Sequence, residues 1–528
     1  LPAAEDFSEG LLDRDAVIKA AADCTPEKYP NSSDVLVDDF IRIRYRADGA
    51  SETWDDTYVK TLTDKGRSEN KTLYFHFTLP YGTVEVKRVE VIKPDGAIVP
   101  VDVEAQSRVM IDRSQMGSNI FNPNAKVLQV GIPGLETGDM IHYIVLRKTV
   151  KPRMPDTWSD FSVLEWTSPM RRIAYEIHGP KDLPLKSVAV RDRVKDTVSF
   201  EKKTDGDTVV YRWEARDVPR MFEEPAMPAK YTQVQRLLVS TIPDWETISR
   251  WYWNLCKPHI EDTTPAMKAK VAELTEGLDR KKKIETLFFW VAKKIRYMGI
   301  TTEKEAPGYE PHPVKMTFED RHGVCRDKGV LLVSMLRMAG IEAFPVIIHS
   351  GPKKDREIPQ PYFNHAVVAV RDADGSYQLM DPTSETATEL FPAWLGNKSY
   401  LIATPEGETL KTSPVELATE NMMVIRTTGR LDKAGDLDAE TVLEFAGVND
   451  NAYRSFFQRA RPEQRREFFE GVAKRAAAGA RLTDLDVTPQ NLSDNSKPLK
   501  AVLRYRAKSV LVSGGRTALV PLPRLSRN

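Results

Sequence analysis

The sequence predicts a multidomain α+β chain, with an N-terminal β-sandwich, a central α+β core and a C-terminal β-rich domain. Three observations carry this. From residue 35 to about residue 215 apolar and polar residues alternate at a period of two, near residue 245 the period becomes helical, and beyond Pro414 it returns to two. A chain of 528 residues also exceeds what one hydrophobic core accommodates. The implied units are a leader helix and linker at 1–33, the sandwich at 34–235, the core at 236–413 and the last domain, with a helical excursion, at 414–528.

Composition narrows the function classes. Lys+Arg and Asp+Glu both number 76, so no net field draws the chain to nucleic acid or to an anionic membrane. Hydrophobic residues at 41% and aromatic residues at 9% are those of an ordinary globular protein, not a disordered or fibrous one. Cys24, Cys256 and Cys325 are far apart and odd in number, which encodes neither a disulfide framework nor a zinc knuckle and leaves at least one thiol free. No run of about 18 apolar residues is present, so no transmembrane segment is expected. The start at Leu1-Pro2-Ala3 is consistent with a removed signal peptide or with a trimmed chain. No cofactor or metal is expected.

Taken in order, residues 13–23 read as a short helix ahead of a Pro/Asn/Ser linker at 30–33. Ile41, Ile43 and Tyr45 then alternate with Arg42, Arg44 and Arg46 up to a turn at Asp48-Gly49. Similar strands are expected at 57–63, 72–79, 84–92, 140–150, 173–178 and 209–214, a succession that reads as a sandwich. His76, His142 and His178 each fall inside a strand pattern without a partner at ligand spacing and are read as structural, and the alternating arginines as a solvated face.

Around Ile242-Pro243-Asp244 the pattern turns helical, with helices expected at 245–257, 265–276 and 280–295. Trp251, Tyr252 and Trp253 are explained by packing of the first of these on the sandwich, and Cys256, with His259 the one imidazole nearby in sequence, is expected to be inert. Residues 296–300 read as a strand and 306–313 as a Gly/Pro-rich loop.

The stretch His322-Gly323-Val324-Cys325-Arg326-Asp327-Lys328-Gly329 leads into a helix whose Leu331, Met335 and Met338 form one apolar stripe, widened by Leu332, Leu336 and Ala339. Gly340 reads as its stop. Cys325 thus occupies the first turn of a buried helix, where free N–H groups and the positive end of the dipole favour a thiolate. Taken alone, the position equally suits a small core hydrophobe. Strands follow at 341–350, 362–370 and 377–380, with Asp372-Ala373-Asp374-Gly375 read as a hairpin turn rather than a calcium loop, because the later ligands are missing. The last domain shows strands at 423–430, 437–445, 482–487, 499–507 and 509–512 around a charged helical segment at 451–480.

His365 and Asp381 lie on adjacent strands of this meander and are expected to face each other across the ladder, with Cys325 brought to the other ring nitrogen. Thiol, imidazole and carboxylate supply a nucleophile, its general base and a group that orients the base. Gly323-Val324-Cys325-Arg326-Asp327-Lys328, Gly340-Ile341-Glu342-Ala343, Asn364-His365 and Met380-Asp381-Pro382-Thr383, in this order, resemble the core of the transglutaminase-like superfamily over about residues 280–400. The turn Ile132-Pro133-Gly134-Leu135-Glu136-Thr137-Gly138-Asp139 is similar to one in the β domain of unknown function that precedes such cores in bacterial exported proteins.

The resemblance implies a papain-like, transglutaminase-like α+β core with Cys325 as nucleophile, His365 as base and then acid, and Asp381 as orienter. It implies a protein or peptide substrate whose amide acylates Cys325, the acyl group passing to a lysine amine (crosslinking) or to water (deamidation or proteolysis). It also implies an aromatic oxyanion donor upstream, for which Tyr297 and then Trp290 are the candidates beside the Cys325 N–H. His312, His322 and Asn364 are cleft candidates. A periplasmic or secreted location follows from the same resemblance. The competing reading is an exported scaffold or binding protein that keeps the fold without turnover, favoured by the large share of the chain in the two β domains. Two positions depart from close bacterial relatives: Val324, where they often carry aspartate, and Gly329, where they often carry alanine. The glycine is expected to serve a close approach.

Overall fold

The computed structural model describes residues 11–300, 308–514 and 516–519. An eight-stranded sheet organises the N-terminal domain, its strands running edge to edge as Val198–Asp205, Thr208–Val218, Met170–Pro180, Asp34–Tyr45, Ser51–Thr61, Met140–Thr149, Gly82–Ile92 and Ile98–Pro100. All neighbours are antiparallel except Asp34–Tyr45 against Met170–Pro180.

Two three-stranded sheets pack on it. Phe75, Leu128 and Val130, from the sheet of Thr72–Thr78, Ala125–Gly131 and Ser107–Ile111, share a core with Val89, Ile141 and Val145. Leu237 and Val239, from the sheet of Ser159–Val163, Arg236–Ser240 and Ser187–Arg191, share another with Ile43, Ile173 and Tyr175. Both cover the same face: Ile41 opposes Asp55 and Asp55 opposes Val145, so side chains in register with Ile41 and Val145 emerge together. The expected sandwich is therefore one large sheet with two small ones side by side on it. Arg236–Ser240 is the centre of one of them, which carries the domain to residue 240 rather than 235.

The opposite face takes the leader helix Arg14–Ala21, whose Val17 and Ala21 pack with Val35, Val37 and Tyr58. His142 is buried here, with Nε2 3.0 Å from Asp56 Oδ1 and Nδ1 2.8 Å from Glu90 Oε2. Asp56 also accepts the N–H groups of Leu11 and Leu12, and Glu90 pairs with Arg14. His142 is thus a clasp for the leader. His76 pairs with Asp112 and His178 with Glu176.

The core has helices Trp245–Glu261, Pro265–Thr275, Arg280–Lys294, Val314–Asp320 and Cys325–Met338. They pack on an antiparallel sheet ordered Tyr377–Met380, His365–Arg371, Ala343–His349, Ser399–Ile402 and Lys411–Thr412. The cysteine helix is central, and every residue from Asp327 to Leu336 is buried. Its polar members find partners: Ser334 Oγ donates to Ile260 O, and Lys328 Nζ to Ala292 O and Ile295 O. Tyr252 and Trp253 pack into this core, Trp253 against Phe344, instead of onto the sandwich as expected, because their helix turns that face toward the central sheet. Cys256 is buried beside them and its thiol is pushed up by burial.

The expected strand at 296–300 is two dipeptide ladders. Arg296–Tyr297 runs parallel to His322–Gly323, and Gly299–Ile300 runs parallel to Ile120–Phe121 of the N-terminal domain. The loop at 306–313 lies partly outside the described residues. At the Asp372–Gly375 turn, Asp372 accepts from Arg280 and Asp374 from Ser376, so the carboxylates stay within the hairpin and its neighbour.

In the last domain the sheet order is Met423–Leu431, Leu437–Phe445, Lys500–Ala507, Arg481–Thr488. The helical segment divides into Val448–Arg459 and Pro462–Ala476, because Pro462 lacks the N–H that an uninterrupted helix requires and instead opens a new first turn. Asn451 Oδ1 accepts from Ser384 and Thr386 of the core, seating this helix pair beside residues 383–387. No helix among the described residues is long and apolar enough to cross a membrane.

Candidate active site

Cys325 opens the central helix at its N-terminal turn. Val324 is the N-cap and has no side-chain oxygen, so the cap depends on Asp327, whose Oδ2 accepts the Val324 N–H at 3.0 Å. Asp327 Oδ1 accepts the His312 N–H at 3.0 Å and lies 3.2 Å from His312 Nδ1. Burial would raise this carboxyl, but Arg326 and His312 hold it below its ordinary range. Gly323 is required sterically: a Cβ there would stand 2.7 Å from Asp327 Cβ.

His365 opens its strand and Asp381 follows the last paired residue of the neighbouring one. The ladder pairs Val368 with Met380, so a continued register sets position 381 against 367, and His365 lies two residues further along the same face. The two side chains therefore meet on the diagonal instead of directly opposite. His365 Nε2 stands 3.0 Å from Asp381 Oδ2, while Asp381 Oδ1 accepts from Thr383 N at 3.0 Å and Thr383 Oγ1 at 2.6 Å. The remaining ring nitrogen is left for the Cys325 thiol, which His365 hydrogen-bonds.

The charges follow from this geometry. Burial would lower His365, but Asp381 and the bond to Cys325 raise it to about 10. Burial would raise Cys325, but the His365 hydrogen bond and charge, Arg326 and the Ala366 N–H hold it below its ordinary 9.0. Burial would raise Asp381, and His365 and Thr383 keep it low. A thiolate–imidazolium pair backed by a carboxylate is the favoured state. Cys325 is part-exposed, whereas Cys24 and Cys256 are buried.

Tyr297 stands beside the thiol because its two-residue ladder pairs it with Gly323. Its phenol reaches both the sulfur and the backbone N–H of Cys325, and burial followed by the Cys325 charge raises its pKa. Trp290 is placed elsewhere, stacked on Phe318 at 5.6 Å with Arg321 over its ring. His312, His322 and Asn364 line a cavity of about 530 Å³ with Cys325. His312 is tied to Asp327, His322 Nδ1 faces the Asp320 carbonyl at 3.2 Å, and Asn364 Oδ1 accepts from Ser350.

Other contributors carried no assigned role in the sequence reading. Trp394 lies 5.8 Å from the His365 ring. It sits on the one-turn 3-10 helix Ala393–Leu395, too short to show a periodicity. Glu385 Oε1 accepts the Tyr297 N–H at 3.1 Å, and Lys328, its amine lowered to about 8 by burial, holds the carbonyl end of the helix from which Tyr297 emerges. Lys328 was visible in the cysteine motif, but its direction was not.

Residues 268–382, which contain all three members of this constellation, match the model of the Transglutaminase-like superfamily, and residues 47–222 match that of a Domain of Unknown Function with solved-structure structure, DUF3857. The chain carries a transglutaminase-like core behind a DUF3857 domain. The crystal structure of a candidate protease from Parabacteroides distasonis is similar over 93% of this chain and 94% of its own, with a TM-score of 0.59 at 15% identity, a likeness of fold. A candidate cysteine protease from Cytophaga hutchinsonii matches 45% of this chain and 75% of its own at 12% identity and a TM-score of 0.20. An M1 zinc metallopeptidase from Deinococcus radiodurans matches 40% of this chain and 43% of its own at 9% identity and a TM-score of 0.22. No curated protein matches the sequence. Within the transglutaminase-like core the constellation is formed by the cysteine helix, the start of the His365–Arg371 strand and the residue just past the Tyr377–Met380 strand.

Proposed function

We propose that the protein catalyses cysteine-dependent acyl transfer on protein or peptide amides. The observation that carries this reading is His365 held between two partners, Asp381 Oδ2 at 3.0 Å and the Cys325 thiol. The Cys325 thiolate attacks the amide carbonyl carbon, and the oxyanion is met by the Tyr297 hydroxyl and the Cys325 N–H. His365 gives its proton to the amide nitrogen, the C–N bond breaks, and ammonia or an amine leaves. A lysine amine or water then attacks the thioester, giving a proton to His365 as the C–S bond breaks and the thiolate returns.

Alkylation of Cys325 by iodoacetamide tests the reading. The rate should rise with a midpoint well below that of an ordinary thiol, about 8.5, and His365→Ala should move that midpoint upward, since the largest opposition to burial is then lost. A Cys325 that alkylates like an ordinary thiol would remove the catalytic reading. Amine incorporation measured beside peptide cleavage, with Cys325→Ala as blank, separates transfer from hydrolysis.

A further inference from the structure

A second cavity, of about 800 Å³, adjoins the first. Tyr297 lines both, so the two meet beside the reacting sulfur. All three domains wall it: Gly117–Asn119 from the N-terminal domain, Asp381, Glu385 and Trp394 from the core, and Asn451 and Arg459 from the last domain. Its lining carries five cations, Lys293, Lys294, Arg296, Arg321 and Arg459. None of them stands in an ion pair among the described residues. Lys293 bonds only the Asn495 amide oxygen, and Arg321 lies over the rings of Trp290 and Phe318. Three carboxylates oppose them. Asp381 is neutralised by His365, Glu385 accepts the Tyr297 N–H, and Glu389 is half-buried, with burial raising its carboxyl.

An amide attacked by Cys325 has to bring its nitrogen to the His365 imidazole, which lines a smaller cavity with Cys325 and stands against Asp381 and Trp394 of the cationic one. His365 protonates that nitrogen. We propose that this three-domain cavity binds a carboxylate carried by the amine side of the reaction, an acidic side chain or a free C-terminal carboxylate of the leaving or accepting peptide. The inference rests on the acyl-transfer reading and names its substrate class.

The test compares iodoacetate with iodoacetamide on Cys325 of the full chain, two reagents that differ in one negative charge. In Lys294→Glu, Arg459→Glu and the double variant, the iodoacetate-to-iodoacetamide rate ratio should fall by about two- to fivefold, and added salt should lower it in the unaltered chain. A ratio unmoved by both substitutions overturns the proposal. The sources are distinguished by acetylating Cys325 with p-nitrophenyl acetate and letting glycinamide, glycine and glutamic acid α-amide compete for the acetyl group, with rates compared per unprotonated amine. Preference for glycine assigns the main-chain carboxylate and preference for the glutamyl amide an acidic side chain; glycinamide performing as well as both overturns the proposal. If no acetyl-enzyme forms and iodoacetamide reacts as with an ordinary thiol, the acyl-transfer reading falls, and the reagent ratio still decides the cavity.

Discussion

At the scale of single residues, the site is a matter of which charge state each neighbour permits. His365 is raised to about 10 from an ordinary 6.5, so its contribution to stability is complete below pH 6.5 and is lost as the pH rises from there toward 10. The urea-midpoint difference between the unaltered chain and His365→Gln should shrink across that window. Asp381→Asn removes the charge that holds the imidazolium, and turnover at neutral pH should fall by about 10²-fold or more, as when a general base loses its orienting carboxylate. Tyr297→Phe should lower kcat by about 10²-fold, the size of a lost oxyanion donor, and should move the midpoint of Cys325 alkylation upward by less than His365→Ala does, because the phenol also reaches the sulfur. Cys325, His365 and Asp381 were legible in the sequence because each ends or begins an element whose period is plain. Trp394 and Glu385 were not, because they reach the site from a single 3-10 turn and a loop whose course only the folded core sets.

At the scale of elements, the cysteine helix shows how far periodicity reaches. Its apolar stripe predicts a buried helix, but burial extends around the whole circumference, so Lys328 is enclosed and spends its amine on the carbonyls of Ala292 and Ile295. Lys328→Met should cost about 1–3 kcal/mol by leaving those carbonyls unpaired, and should lower activity through Tyr297, whose ladder begins just after that helix end. Gly329 corrects an expectation. A Cβ there would meet Val367 O at 3.7 Å and Val368 Cγ2 at 3.9 Å, which are ordinary contacts, so no close approach requires glycine. Gly329→Ala should therefore stabilise the fold by up to about 1 kcal/mol, read as a higher urea midpoint. The diagonal meeting of His365 and Asp381 has a similar lesson: the hairpin turn is visible in sequence, and the register that offsets the pair by two residues is not.

At the scale of the molecule, the three-part division was legible from changes of period, while the arrangement of the parts was not, since nothing in residues 112–124 marks them as neighbours of Cys325. Gly299 N donates to Asn119 O at 3.0 Å, Ile120–Phe121 pairs with Gly299–Ile300, and Arg191 pairs with Asp355 across the same two domains. Truncation to the transglutaminase-like core should leave the Cys325–His365–Asp381 contacts intact and still slow turnover, because the two flanking walls of the cationic cavity are lost. Parallel kinetics of the truncated and full chains on one substrate check this.

The ladder between Ile120–Phe121 and Gly299–Ile300 has a genetic corollary. If the proposed activity holds, a selection scored by turnover alone would return hits at residues 117–121, and these would be sorted with Cys325, His365 and Asp381 although they belong to the DUF3857 domain. A relative that exchanged its N-terminal domain would have to rebuild the two-residue ladder on which Gly299–Ile300 rests.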